Sequence, residues 1–148
     1  MVYLLKSEDR LAGGIFLTNL TTEPPERVIQ MISKQLGEMY PRAITKIAEA
    51  ARTLNGPHGK IRDYFSAYIF GPIHALDYPY QLVVVVDGLD EWRNYESFLA
   101  ELVHMPSPSP LKFVLTSRFK YSIERAVDKM PARKYSLPFE IVLNSRVL

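Results

Sequence analysis

Gln81-Leu-Val-Val-Val-Val-Asp87 is the segment that decides the fold class of this 148-residue chain. Its central residues are apolar and mostly β-branched, with no polar residue between them. Such a run is typical of a strand that is buried on both faces of a parallel sheet. A second apolar run, Leu111 to Leu115, ends in Thr116-Ser117-Arg118 and predicts a second buried strand.

Strand and helix patterns alternate on both sides of these two segments. Two further strands are predicted, from Gly13 to Thr18 and from Tyr135 to Val142. Apolar spacing predicts helices from Pro24 to Met39, about Arg42 to Leu54, about Lys60 to Phe70, Tyr95 to Val103 behind an Asn94 cap, and through Ile123, Ala126 and Val127. We therefore expect one α/β domain, or a piece of one, with a mainly parallel sheet.

Acidic residues follow the first buried strand directly, in the order Asp87-Gly88-Leu89-Asp90-Glu91. Ligands of open parallel sheets sit at the carboxyl ends of the strands. Magnesium on a nucleotide needs one or two carboxylates besides phosphate and water, so Asp87 is a candidate magnesium ligand. Asp90 and Glu91 are candidates for orienting or deprotonating the water that attacks a γ-phosphate.

A plainer interpretation of the same acids stays open. Asp87-Gly88 also suits an ordinary turn after a core strand, and Asp90 and Glu91 suit a solvated helix start, where acids interact well with the helix dipole. The functional interpretation is favoured because all four acidic or glycine positions occur in a fixed order: Asp87, Gly88, Asp90 and Glu91.

The second buried strand places Arg118 at its tip. A guanidinium can bind phosphate oxygens in pairs, so Arg118 is a candidate for sensing or stabilising a γ-phosphate. An arginine after a strand is usually a surface residue. This one follows the acidic segment by a single helix and strand, and that order favours a functional role. Arg118 and Thr116 are the candidate nucleotide-binding residues.

A family resemblance rests on two segments: Leu82 to Trp92 (LVVVVDGLDEW) and Lys112 to Phe119 (KFVLTSRF). The first resembles the Walker B segment of NACHT domains, at about 81–87, and the second their sensor strand, at about 111–117. NACHT domains are STAND-class P-loop NTPases of signal transduction. The version resembled is the nephrocystin-3-like N-terminal type of large fungal proteins, over roughly residues 10–120. Phe119 departs from the family pattern, in which proline commonly follows the arginine.

The resemblance implies a three-layer P-loop NTPase-like fold and a role for each motif residue. Asp87 corresponds to the magnesium-binding acid, Asp90 or Glu91 to the acid that positions water, and Arg118 to the sensor arginine. The implied ligand is ATP or GTP with Mg²⁺. The implied partners are the nucleotide and other domains of a multidomain signalling protein, and any oligomer is expected to form through that parent protein.

A phosphate-binding loop, G-x-x-x-x-G-K-[ST], does not occur in the sequence. Gly56-Pro57-His58-Gly59-Lys60-Ile61 imitates it but lacks its spacing, its hydroxyl and a preceding strand. We therefore expect residues 1–148 to be a partial NACHT domain, from a truncated gene product or an incomplete gene prediction, with residues 1–6 ending a helix that follows the missing loop. In the family the missing strand lies between the sensor strand and the last strand, so a gap or an exposed edge is expected there. We therefore expect the chain alone to be marginally stable, because of that edge, and to bind ATP or GTP poorly or not at all, because the loop is missing.

Composition limits the classes of function. The net charge of +2 comes from scattered residues, so neither nucleic acid nor an anionic membrane is an expected partner. No cysteine is present, which excludes disulfides and thiolate metal sites and is compatible with the cytoplasm, the expected location. His58, His74 and His104 lack the paired spacing of a zinc site and are expected at the surface or at helix ends. No apolar run approaches the ~20 residues of a membrane span.

Three functional hypotheses follow. The first is a nucleotide-hydrolysing switch that controls a larger signalling protein, supported by the paired strand-end motifs. The second is a non-enzymatic interaction module or degenerate NACHT paralogue, supported by the absent phosphate loop. The third, an unrelated receiver-like α/β domain, needs an acid at the end of the first strand, and none occurs there.

Overall fold

The computed structural model describes residues 8–19, 22–54, 59–105, 109–118, 123–125, 128 and 139–143. Its strands form one parallel sheet in the order in which they occur along the chain. They are β1 (Leu11–Phe16), β2 (Leu82–Asp87), β3 (Leu111–Ser117) and β4 (Phe139–Leu143). The predicted α/β class with a parallel sheet is therefore confirmed.

The helices connect these strands and pack mainly on one face of the sheet. They are α1 (Pro25–Met39), α2 (Ile44–Thr53), α3 (Ile61–Phe65), α4 (Gly71–Leu76) and α5 (Tyr95–Leu102), and residues 123–125 are helical as well. Strands that advance in one direction across a parallel sheet, joined by right-handed crossovers, put their connections on the same face. Buried side chains of these helices accordingly share one core cluster with Val84 and Val86 of β2.

Strand β2 is buried on both faces, as its unbroken apolar run predicts. Val84 and Val86 contribute to the helix-covered core, whereas Val83 and Val85 form a smaller buried cluster on the opposite face with Leu11 and Val114. Met39 packs against this second cluster. A helical layer over that face, which a three-layer fold requires, does not occur among the described helices. Of the three layers, the described residues therefore supply two.

The first strand begins earlier than its sequence pattern predicts. The amide of Val83 donates to the carbonyl of Arg10 at 2.7 Å, so pairing with β2 starts before Gly13. Residues Leu17–Asn19 form a 3-10 turn instead of extending the strand to Thr18. Helix α1 begins one residue after its predicted start and ends at the predicted Met39. Pro25 stands in its first turn, where the amide that proline lacks would have no partner within the helix.

The third predicted helix does not end at Phe70. A π-helical turn, Ser66–Phe70, continues α3 directly into α4. Proline inside an α-helix clashes with the carbonyl four residues before it, which makes Gly71-Pro72 look like a stop. Here Gly71 donates to the carbonyl of Ser66, five residues back, and this wider turn accommodates Pro72.

The predicted gap beside the sensor strand is also wrong. Strand β4 pairs directly and in parallel with β3, from Phe113 opposite Phe139 to Ser117 opposite Leu143. The backbone groups along that edge of β3 need hydrogen-bond partners, and the β-favouring residues of the last predicted strand supply them. Residues 135–138 of that prediction lie outside the described residues. Marginal stability of the chain stays a prediction, but it can no longer rest on a gap.

A side chain forms hydrogen bonds with the outer edge of β1. Gln35 of α1 accepts the amide of Gly14 at 2.7 Å and donates to the carbonyl of the same residue at 2.9 Å. The carboxamide thus makes the two hydrogen bonds that a neighbouring strand would make. An open edge of this kind is a template for pairing with another chain, so Gln35 protects it.

No helix in the described part of the chain is both long enough and apolar enough to cross a membrane.

Candidate functional site

The carboxyl ends of β2 and β3 bring the predicted residues together. The register pairs Val86 with Leu115, which puts the next residues, Asp87 and Thr116, side by side. The hydroxyl of Thr116 donates to a carboxylate oxygen of Asp87 and accepts the amide of Gly88 at 3.2 Å. Thr116, predicted to contact nucleotide, is here the residue that orients Asp87.

Gly88 makes the turn that follows Asp87. Its φ of +79° lies in the left-handed region, which side chains disfavour and glycine accepts. The chain then enters a 3-10 turn, Leu89–Glu91, in which Leu89 is fully buried in the core. The buried leucine fixes the turn, so that the acids on either side of it face the end of β3.

We expect Gly88→Ala to lower the free energy of unfolding by about 1 kcal/mol, because alanine must adopt the left-handed conformation. No atom lies within 4 Å of the position that a Cβ would take, so backbone strain is the whole cost. Urea unfolding measures the change. Gly14→Ala is the matched control, since its added Cβ also meets nothing within 4 Å and its φ is not positive. Equal losses in both variants would contradict the role given to the turn.

Asp90 is the centre of a second hydrogen-bonded group. One carboxylate oxygen accepts the Ser117 hydroxyl at 3.0 Å and the Arg118 amide at 2.9 Å, and the other accepts Arg118 Nε at 3.2 Å. Burial by itself raises the pKa of Asp90, but the hydrogen bonds from Arg118 and Ser117 outweigh it, and the net pKa is lowered. Asp90 is therefore a stable anion and a weak proton acceptor.

Glu91 completes the group from the solvent side. Its carboxylate accepts Arg118 Nη2 at 2.6 Å, and a quarter of its side chain is exposed, against 2% for Asp90. Arg118 itself is 60% exposed although both acids hold it. All five predicted site residues thus lie at this edge of the sheet, in two groups: Asp87 with Thr116, and Asp90 and Glu91 with Arg118.

The sequence assigned no role to Ser117, and it predicted Asn94 as the cap of α5, a position that Asn94 occupies without making the side-chain hydrogen bond of a cap. Ser117 is buried and donates to Asp90, a role that only the contact between strand ends reveals. Asn94 makes no side-chain cap for α5; its amide donates to the carbonyl of Glu23 at 2.9 Å. Trp92 donates to the same carbonyl at 2.7 Å. These two donors tie the acidic segment to the residue before the prolines of α1.

The residues fit a nucleotide-bound magnesium better than an ion held by protein alone. Among the described residues, no group of three or more His, Cys, Asp and Glu side chains could hold a metal. Magnesium on phosphate groups needs only one or two carboxylates. Asp87 is half-buried at the strand end, and only one of its two oxygens is hydrogen-bonded to a described residue, Thr116. The histidines add nothing here: His74 and His104 are exposed, and His58 lies outside the described residues.

The chain is thus a parallel α/β protein whose candidate site lies at the carboxyl ends of two neighbouring strands, with acids after β2 and an arginine after β3. Within that class, the chain belongs to the family described as nephrocystin 3, N-terminal, whose model matches residues 8–118. This family is linked to NTPase-type proteins. No curated protein and no solved structure matches the chain.

Proposed function

We propose that this chain is part of a NACHT-type nucleotide-binding domain, in which ATP or GTP with Mg²⁺ controls a larger signalling protein. The observation that carries the proposal is the meeting of the β2 and β3 ends at the sheet edge where ligands bind: Asp90 and Glu91 hold Arg118, and Thr116 holds a third acid, Asp87. Membership of the nephrocystin 3 N-terminal family supports it.

Each group has a distinct chemical use. Asp87 would hold the magnesium of a bound nucleotide, and Thr116 fixes its carboxylate. Magnesium, when bound, neutralises charge on the phosphate oxygens. Arg118 offers its guanidinium to the terminal phosphate, since most of its side chain is open to solvent. Glu91 is close to Arg118 and open to water, as a residue that orients an attacking water molecule must be.

The absence of a phosphate-binding loop from the sequence limits what the chain can do alone. That loop supplies the backbone amides and the lysine that cradle the β- and γ-phosphates. Without it, we expect nucleotide affinity on the order of 1 mM and no measurable hydrolysis. The same absence favours a second candidate, a non-hydrolysing interaction module that retains the fold and its acids.

Nucleotide titration of the 148-residue chain, followed by amide NMR, tests the proposal. We expect Mg-ATP or Mg-GTP at millimolar concentration to shift the amides of Gly88 and Arg118, because these residues border the two acid groups. Asp87→Asn should remove the dependence of those shifts on magnesium. The matched control, Asp77→Asn, should keep it, since Asp77 is exposed, lies after α4 and has a left-handed φ of 48° that asparagine tolerates.

Unchanged Gly88 and Arg118 amides at about 10 mM Mg-nucleotide, ten times the expected dissociation constant, would contradict nucleotide binding at this site. Sequencing the transcript upstream of Met1 separates the two candidates. A strand followed by G-x-x-x-x-G-K-[ST] in frame favours the hydrolysing switch, and its absence favours the interaction module.

A further inference from the structure

We propose that Asp90 is a positioning residue, whose buried carboxylate holds the end of β3 and the guanidinium of Arg118 in place and touches neither nucleotide nor attacking water. The inference rests on the proposed function and deepens it, because it divides the two acids after Leu89 between different tasks. Glu91 keeps the role beside the ligand.

The contacts of Asp90 leave it little capacity for anything else. Its side chain is 2% exposed, and its two oxygens accept three hydrogen bonds, from the Ser117 hydroxyl and from the amide and Nε of Arg118. An acid that orients or deprotonates water must lie within hydrogen-bond reach of that water. A carboxylate whose oxygens face the donors of Ser117 and Arg118 does not meet this condition, whereas the quarter-exposed Glu91 does.

The same contacts explain what Asp90 accomplishes. Its partners are 27 and 28 positions away in sequence, so it links the turn after β2 to the tip of β3. Its own position is fixed by fully buried Leu89, the residue before it. An exposed arginine ordinarily samples many rotamers, and binding a phosphate restricts it to one, which costs conformational entropy. The bond from Nε to Asp90 orders the side chain beforehand, which reduces that loss.

NMR of the arginine side chains tests the positioning role without nucleotide. We expect the Arg118 Nε–H proton to exchange with water at least tenfold more slowly than that of Arg93, which is exposed and has no hydrogen bond to another described residue. Asp90→Asn should bring Arg118 to the Arg93 rate: asparagine keeps one acceptor oxygen for the Ser117 hydroxyl and the Arg118 amide, while its NH2 group, in place of the second oxygen, cannot accept from Nε. Glu91→Gln is the matched control: it alters only the Nη2 contact, so Nε protection should remain.

Equal exchange of Arg118 and Arg93 in the unaltered chain, or an Arg118 rate unchanged by Asp90→Asn, would overturn the positioning role. Thermal melting shows whether Asp90→Asn folds. If it does not, Asp90→Glu serves instead: it keeps the charge but displaces the carboxylate by one methylene, and Nε protection should again be lost.

A double-mutant cycle then asks how Asp90 influences the ligand. We expect Asp90→Asn to weaken Mg-nucleotide binding about tenfold in the unaltered chain, the worth of one charged hydrogen bond, and less than about twofold in an Arg118→Ala background. Equal weakening in both backgrounds would mean that Asp90 acts on the ligand directly, and the proposal would fail. If no variant binds nucleotide, the proposed function fails, while the exchange rates of Arg118 still decide the positioning role.

Discussion

Replacing Trp92 by alanine is expected to lower the free energy of unfolding by about 3–5 kcal/mol, the range for deleting a large buried aromatic ring. Trp92 is 1% exposed and packs edge-on against Phe98, with ring centroids 5.3 Å apart. Phe98 in turn contacts Phe65 and Phe113, so the cavity would open at the end of an aromatic cluster that joins the helices to β3. Alanine also removes one of the two donors to the carbonyl of Glu23.

Urea unfolding followed by far-ultraviolet circular dichroism measures this loss. Trp92→Phe should cost about 1–2 kcal/mol, because it keeps a ring and Asn94 still donates to Glu23. Tyr80→Ala is the control for removing an aromatic residue as such: Tyr80 is 62% exposed, and a surface change of this kind costs about 0.5 kcal/mol or less. A Trp92→Ala loss as small as that of Tyr80→Ala would contradict the packing.

The second large effect is expected from Gln35→Leu. Leucine retains the helix propensity of α1 but leaves the amide and carbonyl of Gly14 without their partners. Since Gly14 is only half-buried and water can replace part of the loss, we expect a destabilisation of about 2 kcal/mol. The freed edge of β1 should also pair with other chains, so self-association should rise with concentration.

Sedimentation velocity over a range of concentrations measures that association, and urea unfolding measures the stability. Gln30→Leu is the matched control, because it adds the same apolar side chain to the same helix without touching Gly14. Monomeric Gln35→Leu with unchanged stability would show that the carboxamide does not protect the edge. Association in both variants would instead point to the added leucine.

The sheet was predictable from sequence because its strands are short apolar runs without the spacing of a helix. Val83 to Val86 is too short for a helix and wholly β-branched, which favours a strand buried on both faces, and the polar residues after such a strand fall at the sheet edge. The proximity of Asp90, Glu91 and Arg118 followed from parallel topology alone. That part of the site needed no knowledge of side-chain contacts.

The remaining features depend on contacts between distant residues, which local patterns do not encode. Pro72 signals a helix end unless a π turn precedes it, and the π turn found here contains Tyr68 and Ile69, which are buried in the core. Asn94 has the right position for a cap, but a carbonyl 71 residues away competes for its side chain. The division of labour between Asp90 and Glu91 likewise appears only when Ser117 and Arg118 are in place.

The order of the strands also bears on how the chain assembles. The turn after β2 contacts β3 across 28 positions of sequence, whereas Arg10, just before β1, contacts the start of β2 across 71. Closing the longer loop costs more entropy, so we expect β2 and β3 to join early in folding and β1 to dock late. Until β1 docks, the exposed border is that of β2, the most apolar strand, and Gln35 cannot shield it. A nascent chain is therefore vulnerable at a different place from the finished protein.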